Sequence, residues 1–169
     1  RRAGRRGRPR SVATGDKSLL EAFWREPVSR TVLPNGLTLI VRRDDSAALA
    51  SVQVWVKTGS IHEGDQLGAG LSHFLEHMLF LGTAKYPDSG EYQEFIDSHG
   101  GSHNAYTAYE NTNYYFEIDA GWLAPSLDRF SQFFIAPLFT ADYVNRERNA
   151  VNSEYQSGLQ DDGRRSQAV

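Results

Sequence analysis

A chain of 169 residues that is 40% hydrophobic and 12% aromatic can bury the core of one domain, which excludes a wholly disordered class. It contains no cysteine, so disulfide frameworks and thiolate metal sites are excluded, and no apolar run approaches the ~20 residues that a membrane span needs. The net charge of −3 is divided unevenly, because residues 1–10 hold six arginines and no acid, leaving 12 basic against 21 acidic side chains in the other 159.

Residues 1–17 cannot bury apolar area and are expected to form a disordered basic arm, with residues 18–169 as the folded body. The arm is the only feature that could touch nucleic acid or an anionic membrane. In an otherwise acidic chain no nucleic-acid partner is expected. No apolar leader segment can be read, so the compartment, periplasmic or cytoplasmic, stays open.

Within the body, residues 19–24 form a short amphipathic piece. Residues 30–43 read as strand broken at Asn35-Gly36, a strong hairpin dipeptide, with Leu37, Leu39 and Val41 alternating after it. Residues 50–58 alternate Val52, Val54 and Val56 with Trp55 on the other face, which predicts a strand neighbouring the hairpin. Residues 59–70, with Gly59, Gly64, Gly68 and Gly70, read as a loop.

Residues 71–81 predict a helix closed by Gly82 at C′. Leu71, Phe74, Leu75 and Met78 fall on one side and His73, Glu76 and His77 roughly opposite. A helix this apolar is expected to be covered on most sides, and a buried stripe of two imidazoles and a carboxylate needs hydrogen-bond partners or a cation. Positions i and i+4 bring His73 and His77 one turn apart, within reach of a single zinc, for which neutral imidazole is a favoured ligand. Glu76 beside them can accept a proton from water that such a metal activates. The pattern is H-x-x-E-H, the reverse of H-E-x-x-H, and this composition yields only about 0.01 chance occurrences of it. A structural pair of satisfied core histidines is the alternative.

Residues 87–98 predict a second helix, with Ser89 as N-cap, Tyr92, Phe95 and Ile96 at core spacing, and Gly100-Gly101 ending it. Residues 102–109 and 112–119 read as strands joined at Glu110-Asn111, with Tyr114, Phe116 and Ile118 alternating. Two further helices follow, at 122–135 (Leu123, Leu127, Phe130, Phe134), stopping before Pro137, and at 141–159. This order implies an α+β class, a mixed and mostly antiparallel sheet covered by helices.

The last helix carries Glu147 and Glu154, which lie within about 20° of one azimuth and about 10.5 Å apart along the axis. That is too far for both to bind one ion. One can ligate while the other steadies a ligand histidine from outside, and the spacing does not say which; both can equally be solvent-facing beside Arg146 and Arg148. His62 and His99 are expected at the surface, His103 along its strand without ligating anything, and Trp24, Trp55 and Trp122 in the core.

Four blocks in order carry a family resemblance: HFLEHMLFLGTAKYP from His73, GGSHNAYT from Gly100, TNYYF from Thr112 and ERNAVNSE from Glu147. Together they resemble the inverzincin metallopeptidases of the insulysin and pitrilysin type, peptidase family M16, over the stretch from about Arg30 to the C-terminus. The family pattern places a glutamate ligand 77 residues after the second histidine, which is Glu154 here. The resemblance therefore implies one Zn²⁺ per chain held by His73, His77 and Glu154, with Glu76 as general base and Glu147 as the outer carboxylate. It also implies that the strand at Asn104, Ala105, Tyr106 and Thr107 offers its edge to a peptide substrate, which adds as an extra strand. Mn²⁺ or Co²⁺ would suit the same donors.

Members of this family consist of two or four related α/β domains that close into a chamber. The resemblance implies that this chain is the N-terminal part of the first, incomplete catalytic domain, with the C-terminal half of the parent protein or a partner subunit as its necessary complement. The implied function is zinc-dependent endopeptidase action on peptides. The alternative is a non-catalytic peptide-binding or structural member of the same fold.

Overall fold

The structure is a computed structural model that describes residues 28–158. The expected basic arm, its boundary at residue 17, the amphipathic piece at 19–24, Trp24 and residue 159 lie outside the described residues. The chain divides into two compact units, at Ala47 and Ala48.

The first unit contains a hairpin of β1 (Val28–Val32) and β2 (Thr38–Arg42), paired antiparallel from Val28 opposite Arg42 to Val32 opposite Thr38. The turn forms at the predicted dipeptide: Gly36 takes φ +87°, a region open to glycine, and the Asn35 side chain accepts the Leu37 N–H at 3.1 Å.

The second unit is a three-stranded antiparallel sheet with helices on one face. Its strands are β3 (Leu49–Val56), β4 (Ser102–Thr107) and β5 (Thr112–Asp119), in the order β3–β5–β4. The expected pairing of β3 with the hairpin is therefore replaced: β3 pairs with β5, from Leu49 opposite Asp119 to Val56 opposite Thr112. β5 occupies the centre, with Thr112, Asn113, Tyr114, Phe116 and Ile118 all buried. Its Tyr114, Phe116 and Ile118 pack with Tyr92, Ile96, Phe130 and Phe133 from the helices and with Leu79 into one core. The opposite face of the sheet is exposed, which corrects the expectation for Trp55: it is 57% exposed, with Tyr106 set edge-on to it at 6.2 Å. Trp122 also lies at the surface.

The helices are α1 (Leu71–Leu79), α2 (Glu91–Ser98), α3 (Leu123–Ile135) and α4 (Ala141–Gly158). α1 ends two residues before the expected limit, at the C-cap Phe80, so Gly82 lies beyond C′. There it takes φ +102°, and its carbonyl accepts the Leu138 N–H while Ala84 donates to Ala136, pinning the exit of α1 to the exit of α3. Only part of α1 is covered: Met78 and Leu79 are buried, whereas Leu71 and Leu75 are exposed. α2 starts at the N-cap Gly90 rather than Ser89, and Asp88 supplies the capping carboxylate, accepting the Gly90 N–H at 2.9 Å. In α3 the buried face is Ser126, Phe130 and Phe133, with Leu127 and Phe134 outside it. The small Ser126, its hydroxyl returned to the Trp122 carbonyl, allows that close approach.

His103 of β4 turns inward, its ring stacked on Phe80 at 5.4 Å and edge-on to Tyr92 at 5.0 Å, with a buried Nδ1 that has no hydrogen-bond partner. Burial holds the imidazole below its ordinary value of 6.5, against the opposing charge of Asp97. The unfolded chain therefore takes up a proton that the folded chain resists, so this linkage adds nothing above the ordinary value and destabilises folding as the pH drops below it. Urea unfolding from about pH 7 to about pH 5 should show a loss of stability that a His103→Phe variant, which keeps the aromatic packing, reduces.

Candidate metal centre

α1 presents His73 and His77 on one face because they are one turn apart, with ring centroids 4.7 Å apart and planes at 84°. Their Nε2 atoms are 3.1 Å from each other. On the far side of His77, Nδ1 lies 3.3 Å from Oε2 of Glu147. That contact assigns the tautomer: Nδ1–H donates to the carboxylate, and the Nε2 lone pair is left facing His73.

α4 closes the site. Oε2 of Glu154 lies 3.5 Å from Nε2 of His73 and 3.8 Å from Nε2 of His77, and the three ligand atoms lie within 4.8 Å of one another. Ligands of a tetrahedral zinc at ~2.05 Å stand about 3.3 Å apart. Two imidazole nitrogens and a carboxylate oxygen converging at close to that spacing fit a divalent cation with a preference for nitrogen. The seven-residue separation on α4 gives the two glutamates different tasks in space: Glu154, half exposed, reaches both Nε2 atoms, while Glu147, 15% exposed at its side chain, reaches only the outer nitrogen of His77. Arg146 contacts the other oxygen of Glu147 at 3.4 Å.

Glu76 lies on the side of α1 turned to the sheet and is 8% exposed. Oε2 accepts a 2.5 Å hydrogen bond from the Thr107 hydroxyl at the end of β4. The Tyr114 hydroxyl is pushed up to about 12, by burial first and by the negative charge of Glu76 second. Among the four strand residues singled out in the sequence, Thr107 thus reaches Glu76 and Ala105 packs against the core, while Asn104 and Tyr106 alternate to the exposed face. Asn104 Oδ1 accepts the Ala105 N–H at 2.9 Å. Among the described residues β4 is an edge strand of its sheet, paired with β5 alone.

Sequence reading missed Glu63. Its carboxylate accepts the N–H groups of Gly70 and Ser72, at 3.2 and 2.8 Å, across the start of α1. The available signal was negative: Gly70 in the N-cap position has no side chain to serve the first turn, so an acceptor had to come from elsewhere.

The family model described as Insulinase (Peptidase family M16) matches residues 38–167. The A-factor-processing enzyme of Saccharomyces cerevisiae is 47% identical over 130 residues, and the human insulin-degrading enzyme 45% over 130. A Schizosaccharomyces pombe protein provisionally named as a zinc protease, mug138, is 48% identical over 130 residues. Each alignment covers 77% of this chain and 13% of the relative, so the chain spans about an eighth of these proteins' length. The crystal structure of pitrilysin superposes with a TM-score of 0.74 at 34% identity, covering 82% of this chain and 15% of that one.

Thr107→Val removes the hydroxyl donor and leaves Oε2 of the buried Glu76 without its partner. The expected cost is about 1–3 kcal/mol in unfolding free energy, measured by urea denaturation at neutral pH, with Thr107→Ser retaining most of the wild-type value.

Proposed function

The chain belongs to the insulinase family of peptidases, family M16, and we propose that it carries the zinc-binding and proton-transferring residues of a metalloendopeptidase that hydrolyses peptides. The observation that supports this most is the convergence of His73, His77 and Glu154 within 4.8 Å, with a buried carboxylate on the same helix. In this reading His73, His77 and Glu154 hold one Zn²⁺, which when bound polarises the scissile carbonyl and makes water more acidic.

The rest is done by the chain's own groups. Glu147 accepts the Nδ1–H of His77 and so keeps its Nε2 lone pair turned to the site. Glu76 takes the proton of the attacking water and returns it to the leaving amine. The Thr107 hydroxyl, donating to Oε2, holds that carboxylate in place. The free edge of β4 binds the substrate backbone, so that a peptide at Asn104 to Thr107 continues the sheet and delivers one carbonyl beside α1. The relatives are far longer than this chain, and we assign the remaining walls of the substrate chamber to the rest of the parent polypeptide or to a partner subunit.

Competition with a chromophoric chelator should give one zinc per chain, and His77→Ala should abolish it. In the full-length protein, Glu76→Gln should keep that stoichiometry while peptide hydrolysis falls by roughly 10²- to 10⁴-fold. Unchanged hydrolysis in Glu76→Gln would sink the mechanism, and saturating zinc without binding would leave a structural, non-catalytic role.

A further inference from the structure

We propose that Glu63 is a positioning residue, a strut that fixes the metal-binding face of α1 relative to the edge strand β4; this rests on the reading of His73, His77 and Glu154 as a metal site. The first turn of α1 has no cap of its own, because Gly70 takes φ +74° and carries no side chain. Glu63 supplies both acceptors, Oε2 for Gly70 N–H and Oε1 for Ser72 N–H, the residue next to His73. Burial alone would raise this carboxyl, yet the hydrogen bonds from Ser72, Gly70 and Leu71 outweigh it and hold it below the ordinary glutamate value. A carboxylate at a helix N-terminus also meets the positive end of the backbone dipole.

The segment that carries Glu63 is itself fastened to the substrate-strand side. Ser60 N–H donates to Ala108 and Ile61 N–H to Tyr109, both at 3.0 Å, in the turn between β4 and β5. Gly59 sits so close to that turn that a Cβ would meet the Ala108 carbonyl at 2.1 Å. The Gly59 N–H donates to Nδ1 of His62, 3.2 Å away, within the same segment. Two connections therefore run between β4 and α1: Thr107 to Glu76 at the middle of the helix, and the turn, the 59–63 segment and Glu63 at its start. With both in place the azimuth of α1, and hence the direction of His73 and His77, is fixed. A cap that served stability alone would need no such anchorage.

The two oxygens act on different donors, so the variants are graded. Glu63→Gln keeps one acceptor oxygen and Glu63→Ala keeps none. In the metal-free chain, the imidazole resonances of His73 and His77, followed by NMR, should shift in Glu63→Ala and by a smaller amount in Glu63→Gln. In the Co²⁺-loaded chain the visible spectrum should change in the same order, with Co²⁺ affinity falling about 10-fold in Glu63→Ala, the lower end of what losing an outer partner of a metal ligand costs. A core variant outside α1 and the 59–63 segment, Phe130→Leu, provides the control: at a matched loss of stability it should leave resonances and spectrum at their wild-type positions. Wild-type resonances and spectrum in Glu63→Ala, with only stability reduced, would make Glu63 a plain cap and overturn the proposal. Failure of the wild-type chain to take up Co²⁺ would instead count against the metal site, and the metal-free resonances would still decide the role of Glu63.

Discussion

Everything in the site follows from the need of three polar side chains on α1 for partners. A mostly apolar helix places His73, Glu76 and His77 against the body of the unit, with Glu76 buried and the two histidines partly exposed, and each finds a polar partner. The partners come from two elements. Glu76 takes a hydroxyl from β4, His77 gives its outer N–H to Glu147 of α4, and His73 faces the Glu154 carboxylate of the same helix. The sheet and the last helix are thus drawn to α1 by its polar stripe as much as by its apolar face, and that stripe is what leaves two nitrogens and an oxygen converging on one point.

The sheet order makes the arrangement possible. Placing β5 at the centre, with Phe116 and Ile118 fully buried, puts β4 at the edge next to α1. Alternation along β4 then does two jobs: Ala105 and Thr107 turn to the core and to Glu76, while Asn104 and Tyr106 turn to the open face. One short strand can therefore hold Glu76 and still leave its backbone edge available, since side-chain direction and backbone pairing are perpendicular.

Much of this was legible in the residues, and what was not has identifiable reasons. The i, i+4 histidines and the intervening glutamate could be read because helical spacing alone sets their neighbourhood. The hairpin at Asn35-Gly36 could be read because its turn chemistry is local. The division of work between Glu147 and Glu154 was not legible from spacing, since residues seven apart share an azimuth and differ only in height along the axis; the resemblance supplied an assignment and the position of α4 across α1 is compatible with it. Trp55 was misplaced because alternation reveals two faces and not which one the helices cover. Leu127 and Phe134 were misplaced for a related reason: an apolar stripe about 100° wide tolerates a rotation of one residue, and the small Ser126 chose the rotation. Glu63 was invisible because its cap acts across a loop of unpredictable path.

The charges of the assembled site complete the argument for its occupant. Glu76, Glu147 and Glu154 contribute three formal negative charges and Arg146, beside Glu147, one positive charge, so with neutral imidazoles the cluster has a formal charge of −2. Such a net negative charge favours a cation as the occupant. A divalent ion balances the cluster, and a monovalent one would leave half of it uncompensated. Oxygen donors alone would suit calcium or magnesium, yet two of the three converging atoms are imidazole nitrogens, which moves the preference to zinc and its first-row neighbours. Nε2 of His77 depends on the tautomer that Glu147 favours there, so a carboxylate that touches neither converging nitrogen still bears on the donor set.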